Sequence, residues 1–344
     1  RLQSEILLSI ATVNRRRNIT LYCVAGAFLL ALFLGNIFFG SVKIPLRDIF
    51  SILSGNFAGR ESWRHIVLET RLPQAVTALL AGSSLAVSGL MLQTLFKNPL
   101  AGPSILGISD GANLGVAVAM IYFTTTSYFT TIAAAFVGAA VVLALILWFS
   151  SKLKNNVMLL IVGIMMASSV ISILNFRASA DKVHQYVLWG MGDFGNVSVE
   201  KLPYFATIAL AGLVAAILLI KPLNALLLGE SYASNLGVNI RRSRLMILGC
   251  TGLLTAATTA FCGPVSFIGL AVPHIARLML GSSNHQQLLP VTLVTGSSIA
   301  LLCNMLTLLP GSSGVLPLSA ITPIVCAPVI IYVILNRKNI QYFN

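Results

Sequence analysis

Long apolar stretches separated by short charged connections organise the chain. A bilayer-spanning helix needs about 20 mostly apolar residues, because the hydrocarbon core is about 30 Å thick and each residue rises about 1.5 Å. Ile19 to Val42 and Leu72 to Phe96 hold 24 and 25 residues without a charge and supply one span each. Gly111 to Ser151 holds 41, and its polar break at Thr124 to Ser127 divides a helix beginning near Ile105 from one ending near Phe149. Asn155 to Phe176 and Leu202 to Ile220, of 22 and 19 residues, give a fifth and a sixth span. Leu245 to Ala276 contains 32 residues interrupted by Gly263-Pro264 and Pro273, and Leu278 to Asn336 contains 59 interrupted by Pro310 to Gly314. Each is long enough for two spans if one is short or broken. The pattern predicts an all-α integral membrane protein of about ten transmembrane helices, with one membrane domain over 19–338 between a polar segment 1–18 and a tail 339–344.

Composition excludes a water-soluble globule. Only 9% of the 344 residues are charged, 57% are hydrophobic and the mean hydropathy is +0.90, so lipid must cover part of the surface. The net charge of +13 would suggest nucleic acid in a soluble protein, but here the basic residues lie between apolar runs. Membrane topology explains them, and no nucleic-acid partner is expected. With ten spans, 14 of the 22 Lys and Arg residues fall on the side of the termini, which the positive-inside bias makes cytoplasmic. The run after residue 18 is too long for a signal-peptide core and reads as an uncleaved first span. All five cysteines lie in apolar stretches without a CxxC pair, so no disulfide or metal framework follows.

Candidate chemistry is sparse. Asp110 is the one carboxylate well inside an apolar region and reads as a helix-start acid within reach of the cytoplasmic interface. His274, beside Pro273, reads as a helix-packing partner; His65, His184 and His285 read as loop residues that share no metal spacing. There is no GxxxxGK[ST], HExxH or GxSxG, so the chain holds no ATPase site and no hydrolytic centre, and any ATP is used by a partner. Gly107, Gly111 and Gly115, four apart, predict a close helix contact on one face of the third span. Tyr186 to Phe194 reads either as a headgroup-level aromatic anchor or as a lid. In the polar stretch Lys221 to Arg244, Leu226, Ala233 and Leu236 with Gly229 and Gly237 predict a short amphipathic helix outside the bilayer, resting on lipid or facing a partner.

Five ordered motifs resemble the permease subunit of ABC importers for iron-siderophore complexes, haem and cobalamin. They are Arg71-Leu72-Pro73; Gln93-x-Leu95-Phe96-x-Asn98-Pro99-Leu100-Ala101-x-Pro103 with Leu106-Gly107 and Gly111-Ala112; Leu228-Gly229-Glu230 with Ala233 and Leu236-Gly237; Gly263-Pro264-x-x-Phe267-Ile268-Gly269-Leu270-x-x-Pro273-His274-x-x-Arg277; and Leu316-Pro317 with Ala327-Pro328. The resemblance runs from about residue 15 to 338. It implies a type II importer bundle in the bacterial inner membrane. The working unit would be a homodimer with two cytoplasmic ATPase subunits, which use ATP and Mg, and a periplasmic binding protein; no cofactor is expected on this chain. Gly229, Glu230, Ser231, Ala233, Leu236, Gly237 and Val238 resemble the coupling helix that docks on the ATPase. Asn98, Leu100, Asn156 and Val157 match the cytoplasmic gate, and Arg60, Arg64 and Arg71 are candidates for docking the binding protein. Family members often carry an Arg at the places of Gln74 and Leu308, and an Asp at that of Asn304. An ion-coupled secondary transporter is the alternative, and which chelate is carried is not legible.

Overall fold

The computed structural model describes residues 2–56, 59–104, 107–122, 127–150, 168–308 and 316–335, and every regular element among them is helical. Helix α1 (Leu2–Phe38) runs through the polar N-terminal segment without a break, so the expected boundary at residue 18 is absent from the backbone. After Pro45, α2 (Leu46–Leu53) buries Ile49 and Ile52 against Ile37, Ile44 and Val67. The stretch between the first two spans is thus largely helical. Helix α3 (Glu61–His65) passes through a π-helical turn at Ile66–Arg71 into α4 (Leu72–Phe96). Pro73 has no N–H for the carbonyl of Glu69, and the widened turn makes room for its ring.

Helix α4 is the buried axis of the bundle. Small residues cover it, and two glycines let neighbours approach to backbone contact: a Cβ at Gly82 would collide with the Gly296 carbonyl, and one at Gly89 with the Gly269 carbonyl. Helices α5 (Ile108–Tyr122) and α6 (Tyr128–Ser150) pair in the same way, Gly111 and Gly115 lying against Ala134 and Gly138. Gly107 is not part of that face; it turns the chain before α5 with φ +71°.

The remaining elements are α7 (described over 168–177), α8 (Ala180–Gly190), α9 (Leu202–Leu218), α10 (Ile220–Leu227), α11 (Glu230–Asn235), α12 (Ile240–Cys262), α13 (Ile268–Leu280), α14 (His285–Thr307) and α15 (Leu318–Leu335). Among the described residues, six helical stretches are long and apolar enough to cross a bilayer: 18–38, 61–96, 128–145, 240–262, 285–307 and 318–335. The pair α9–α10, bent by 50°, adds a seventh, and α5 and α13 are shorter apolar helices. The fifth predicted span lies outside the described residues apart from 168–177.

Two breaks in the chain meet beside α4. After α12 ends at Gly263, residues 264–267 lead back into the bundle, where Gly269 packs against Gly89 and Pro103. The other break, described over 97–104 and at Gly107, leads from the end of α4 to α5, whose Ser109 hydroxyl lies 3.4 Å from that of Thr259, close to the Cys262 end of α12. Asp110, in the first turn of α5, therefore lies toward that end and not toward the Asn98 end as its sequence position suggested. Helix α13, of 13 residues, spans about 20 Å and reaches only part of the way through a bilayer.

Candidate functional site

One end of the bundle carries the short helix α11. Gly229 (φ +113°) and Gly237 (φ +81°) bound it, conformations that residues with a Cβ rarely adopt, so the chain turns sharply into and out of a projecting foot. Ala233 is fully buried against the core group that includes Leu226, Ile247 and Leu280, while Tyr232, Leu236 and Leu228 are more than half exposed. Glu230 and Arg244 form an ion pair at 2.6 Å, tying the foot to α12. Ser231 and Gly237 are exposed and Val238 is half-buried. The expected amphipathic character is present, with Leu226 and Ala233 facing the bundle and Leu236 facing away.

Beside the foot lies the turn that follows α4. Lys97 adopts the left-handed conformation (φ +46°) that closes the helix, and Asn98 accepts from the Leu100 N–H at 3.0 Å, fixing the turn. Leu100 is exposed, and the Lys97 ammonium approaches Gly229, where an added Cβ would meet it at 3.7 Å. The gate candidates Asn98 and Leu100 thus lie next to the foot; Asn156 and Val157 lie outside the described residues.

A buried polar joint, which sequence reasoning missed as a unit, holds this turn. Arg277 Nη1 donates to Gln93 Oε1 at 2.6 Å, Gln93 Nε2 donates to the Leu270 carbonyl at 3.1 Å, and His274 Nε2–H donates to the Pro99 carbonyl at 2.7 Å. One residue further along α4, Thr94 Oγ1 lies 2.8 Å from His285 Nε2. His285, expected in a loop, is instead the fully buried first residue of α14. Both its backbone N–H and its Nδ1–H donate to Asn224 Oδ1 on α10, at 2.8 and 2.9 Å. His274 is the helix-packing partner its position suggested, with the Pro99 carbonyl of the turn after α4 as the group it packs on. Among the described residues no three His, Cys, Asp or Glu side chains are grouped to hold a metal ion.

At the opposite end, Arg60 and Arg64 are exposed on and beside α3, with the Arg60 guanidinium 5.4 Å from the centre of the Trp63 ring. Arg71 does not join them. It is buried, and its guanidinium donates to the carbonyls of Ile37, Phe38 and Val42, capping the end of α1, so its charge is not presented to a docking partner. Gln74 Nε2 donates to Asn304 Oδ1 at 3.1 Å, and Asn304 Nδ2 donates to Asn36 Oδ1 at 2.7 Å, a three-amide staple across α4, α14 and α1. Two of the three departures from the family pattern, Gln74 and Asn304, are therefore contacting partners. The Tyr186 to Phe194 segment is anchored in protein: Trp189 and Phe194 are buried, and Asp193 N–H donates to the Cys262 carbonyl at 2.9 Å.

Residues 28–336 match the profile of the FecCD transport family. The chain is 30% identical over 318 residues to the hemin transport system permease protein HmuU of Yersinia pestis, covering 90% of this chain and 93% of that protein. It is 34% identical over 274 residues to the ferric enterobactin transport system permease protein FepG of Escherichia coli (strain K12), covering 79% and 82%. It is 30% identical over 342 residues to the vitamin B12 import system permease protein BtuC of Shigella boydii serotype 18, covering 96% and 100%. Among solved structures it is similar to an inward-facing conformation of a metal-chelate type ABC transporter, with TM-score 0.81 and 28% identity, covering 93% of this chain and 99% of that one.

Proposed function

Because the chain belongs to the FecCD transport family, we propose that it is the permease subunit of an ATP-driven importer that moves a metal chelate from periplasm to cytoplasm across a bacterial inner membrane. The chelate is of the class of haem, ferric siderophores and cobalamin, the cargoes for which its relatives are named. Two copies of the chain form the pathway, and an open apolar groove between α13 and α15, about 470 Å³ and lined by residues such as Leu278 and Tyr332, supports a face covered within the membrane.

The carrying observation is the foot. A glycine-bounded helix with Tyr232 and Leu236 exposed and Ala233 locked into the core is a rigid apolar projection suited to a groove on a cytoplasmic ATPase. The chain has no P-loop of its own, so ATP and Mg act on that separate subunit. The α11 end faces the cytoplasm, as the excess of Lys and Arg there supports. Movement of the foot opens and closes the gate at Asn98 and Leu100, with Asn156 and Val157 completing it, and the two halves alternate access to a central path. At the periplasmic end the binding protein docks on Arg60 and Arg64.

The test is uptake into proteoliposomes containing the permease, its ATPase and its binding protein, with haemin, ferric enterobactin and cobalamin offered in turn. Uptake of one of them that needs ATP, together with loss of ATPase copurification in Tyr232→Glu/Leu236→Glu, is the expected result. Uptake that follows a proton or sodium gradient without ATP overturns the proposal.

A further inference from the structure

The gate turn and the foot are joined through a side-chain chain that the family motifs do not single out. Asn224 lies on α10, three residues before Leu227, and only Leu228 and Gly229 separate α10 from α11. Its Oδ1 accepts twice from His285, and its Nδ2 donates to Asn284 Oδ1 at 3.0 Å. Asn284 caps α14 by accepting from the Gln286 N–H at 2.9 Å, so the amide of Asn224 can point only one way. The other ring nitrogen of His285 meets Thr94, three residues before Lys97 and four before Asn98. One fully buried imidazole therefore bridges the root of the foot and the root of the gate.

Resting on the reading above, we propose that Asn224, His285 and Thr94 form the relay that passes displacement of the foot to the gate turn, with His285 as its positioning residue. The imidazole is a rigid strut with a contact at each nitrogen, and it is buried between α4, α10 and α14, so α10 cannot shift against α14 without moving Thr94 or breaking one of these contacts. Such hydrogen bonds each add only modestly to net stability, because folding forms them in exchange for bonds to water. Their position, between a docked lever and an exposed turn, gives them a larger share in coupling than in folding.

The experiment uses the complex of permease and ATPase, with the exposed Cys23 replaced by Ser and Leu100→Cys as a reporter labelled by a methanethiosulfonate reagent with and without ATP. In the parent complex ATP changes the labelling rate; a parent that does not respond sinks the gate assignment of the previous section, not the relay. His285→Gln places an amide near the Nε2 position and keeps the Thr94 contact while losing the side-chain bond to Asn224, the backbone N–H bond to Asn224 remaining; His285→Asn keeps both bonds to Asn224 while losing Thr94. Each variant is expected to lower the ATP-dependent change in labelling at least about fivefold, while ATP turnover stays within about twofold of the parent, because each cuts the chain of contacts once. A parent-like labelling response in either variant overturns the relay. So does loss of the ATPase or a collapse of thermal stability, which would assign His285 to assembly alone.

Discussion

At its first turn α4 is held by amides, and at its last by an arginine and two histidines. Gln74 joins Asn304 and Asn36, residues of three long helices that cross side by side. Gln93 and Thr94 instead join Arg277, His285 and, through the Pro99 turn, His274, on the short α13, the start of α14 and the turn after α4. The first set links rigid bodies, and its rupture affects packing. The second links pieces that chain breaks separate, and under the relay proposed above its rupture affects how one piece follows another. Buried polar groups thus have different consequences according to whether the backbone around them is continuous.

The contrast can be broken most severely between the two sets. Gly89→Leu drives a side chain into the Gly269 carbonyl and separates α4 from α13, at a cost above about 3 kcal/mol. Folded protein recovered from membranes should drop sharply, as detergent-solubilised gel filtration would reveal. Next in size, Gln74→Arg puts a charge against the buried Asn304 and should lower stability by about 2 kcal/mol; adding Asn304→Asp supplies its counter-ion and should recover part of the loss in a thermal melt, because the carboxylate no longer donates to Asn36 Oδ1. Uptake per folded molecule should stay near the parent value in both, and a fall would erase the distinction between the two sets. Gln93→Leu should do the reverse: about a tenfold loss of uptake per ATP hydrolysed, equivalent to about 1.4 kcal/mol of coupling, with a smaller change in melting temperature. Smallest of all, Glu230→Gln removes an exposed ion pair worth about 0.5 kcal/mol, and should weaken the ATPase complex by less than about threefold while reducing its salt dependence.

Much of the architecture could be read from hydropathy, because lipid forces long apolar helices and their spacing is local information. The foot was also legible, since Gly229 and Gly237 frame it and Ala233 and Leu236 alternate in environment. The joint was not. Gln93 and Arg277 were each visible within a motif, but they stand 184 residues apart, and nothing in a single chain states that distance in space. His285 was misplaced by its polar neighbours Ser282, Ser283 and Asn284, although Asn284 followed by a long apolar run is a helix-start signal that could have moved it into α14. Arg71 misled in the opposite sense: its motif suggested an exposed charge, while the ends of α1 and α4 close over it.

Under the alternating access proposed above, the bare crossings of α4 at Gly82 and Gly89 are the natural fulcrums. Rods that touch backbone to backbone can scissor there without unmeshing any knobs, so the spacings from Gly82 to Gly296 and from Gly89 to Gly269 should stay constant throughout a working stroke. The far ends of α13 and α14, near Arg277 and His285, then sweep the widest arc.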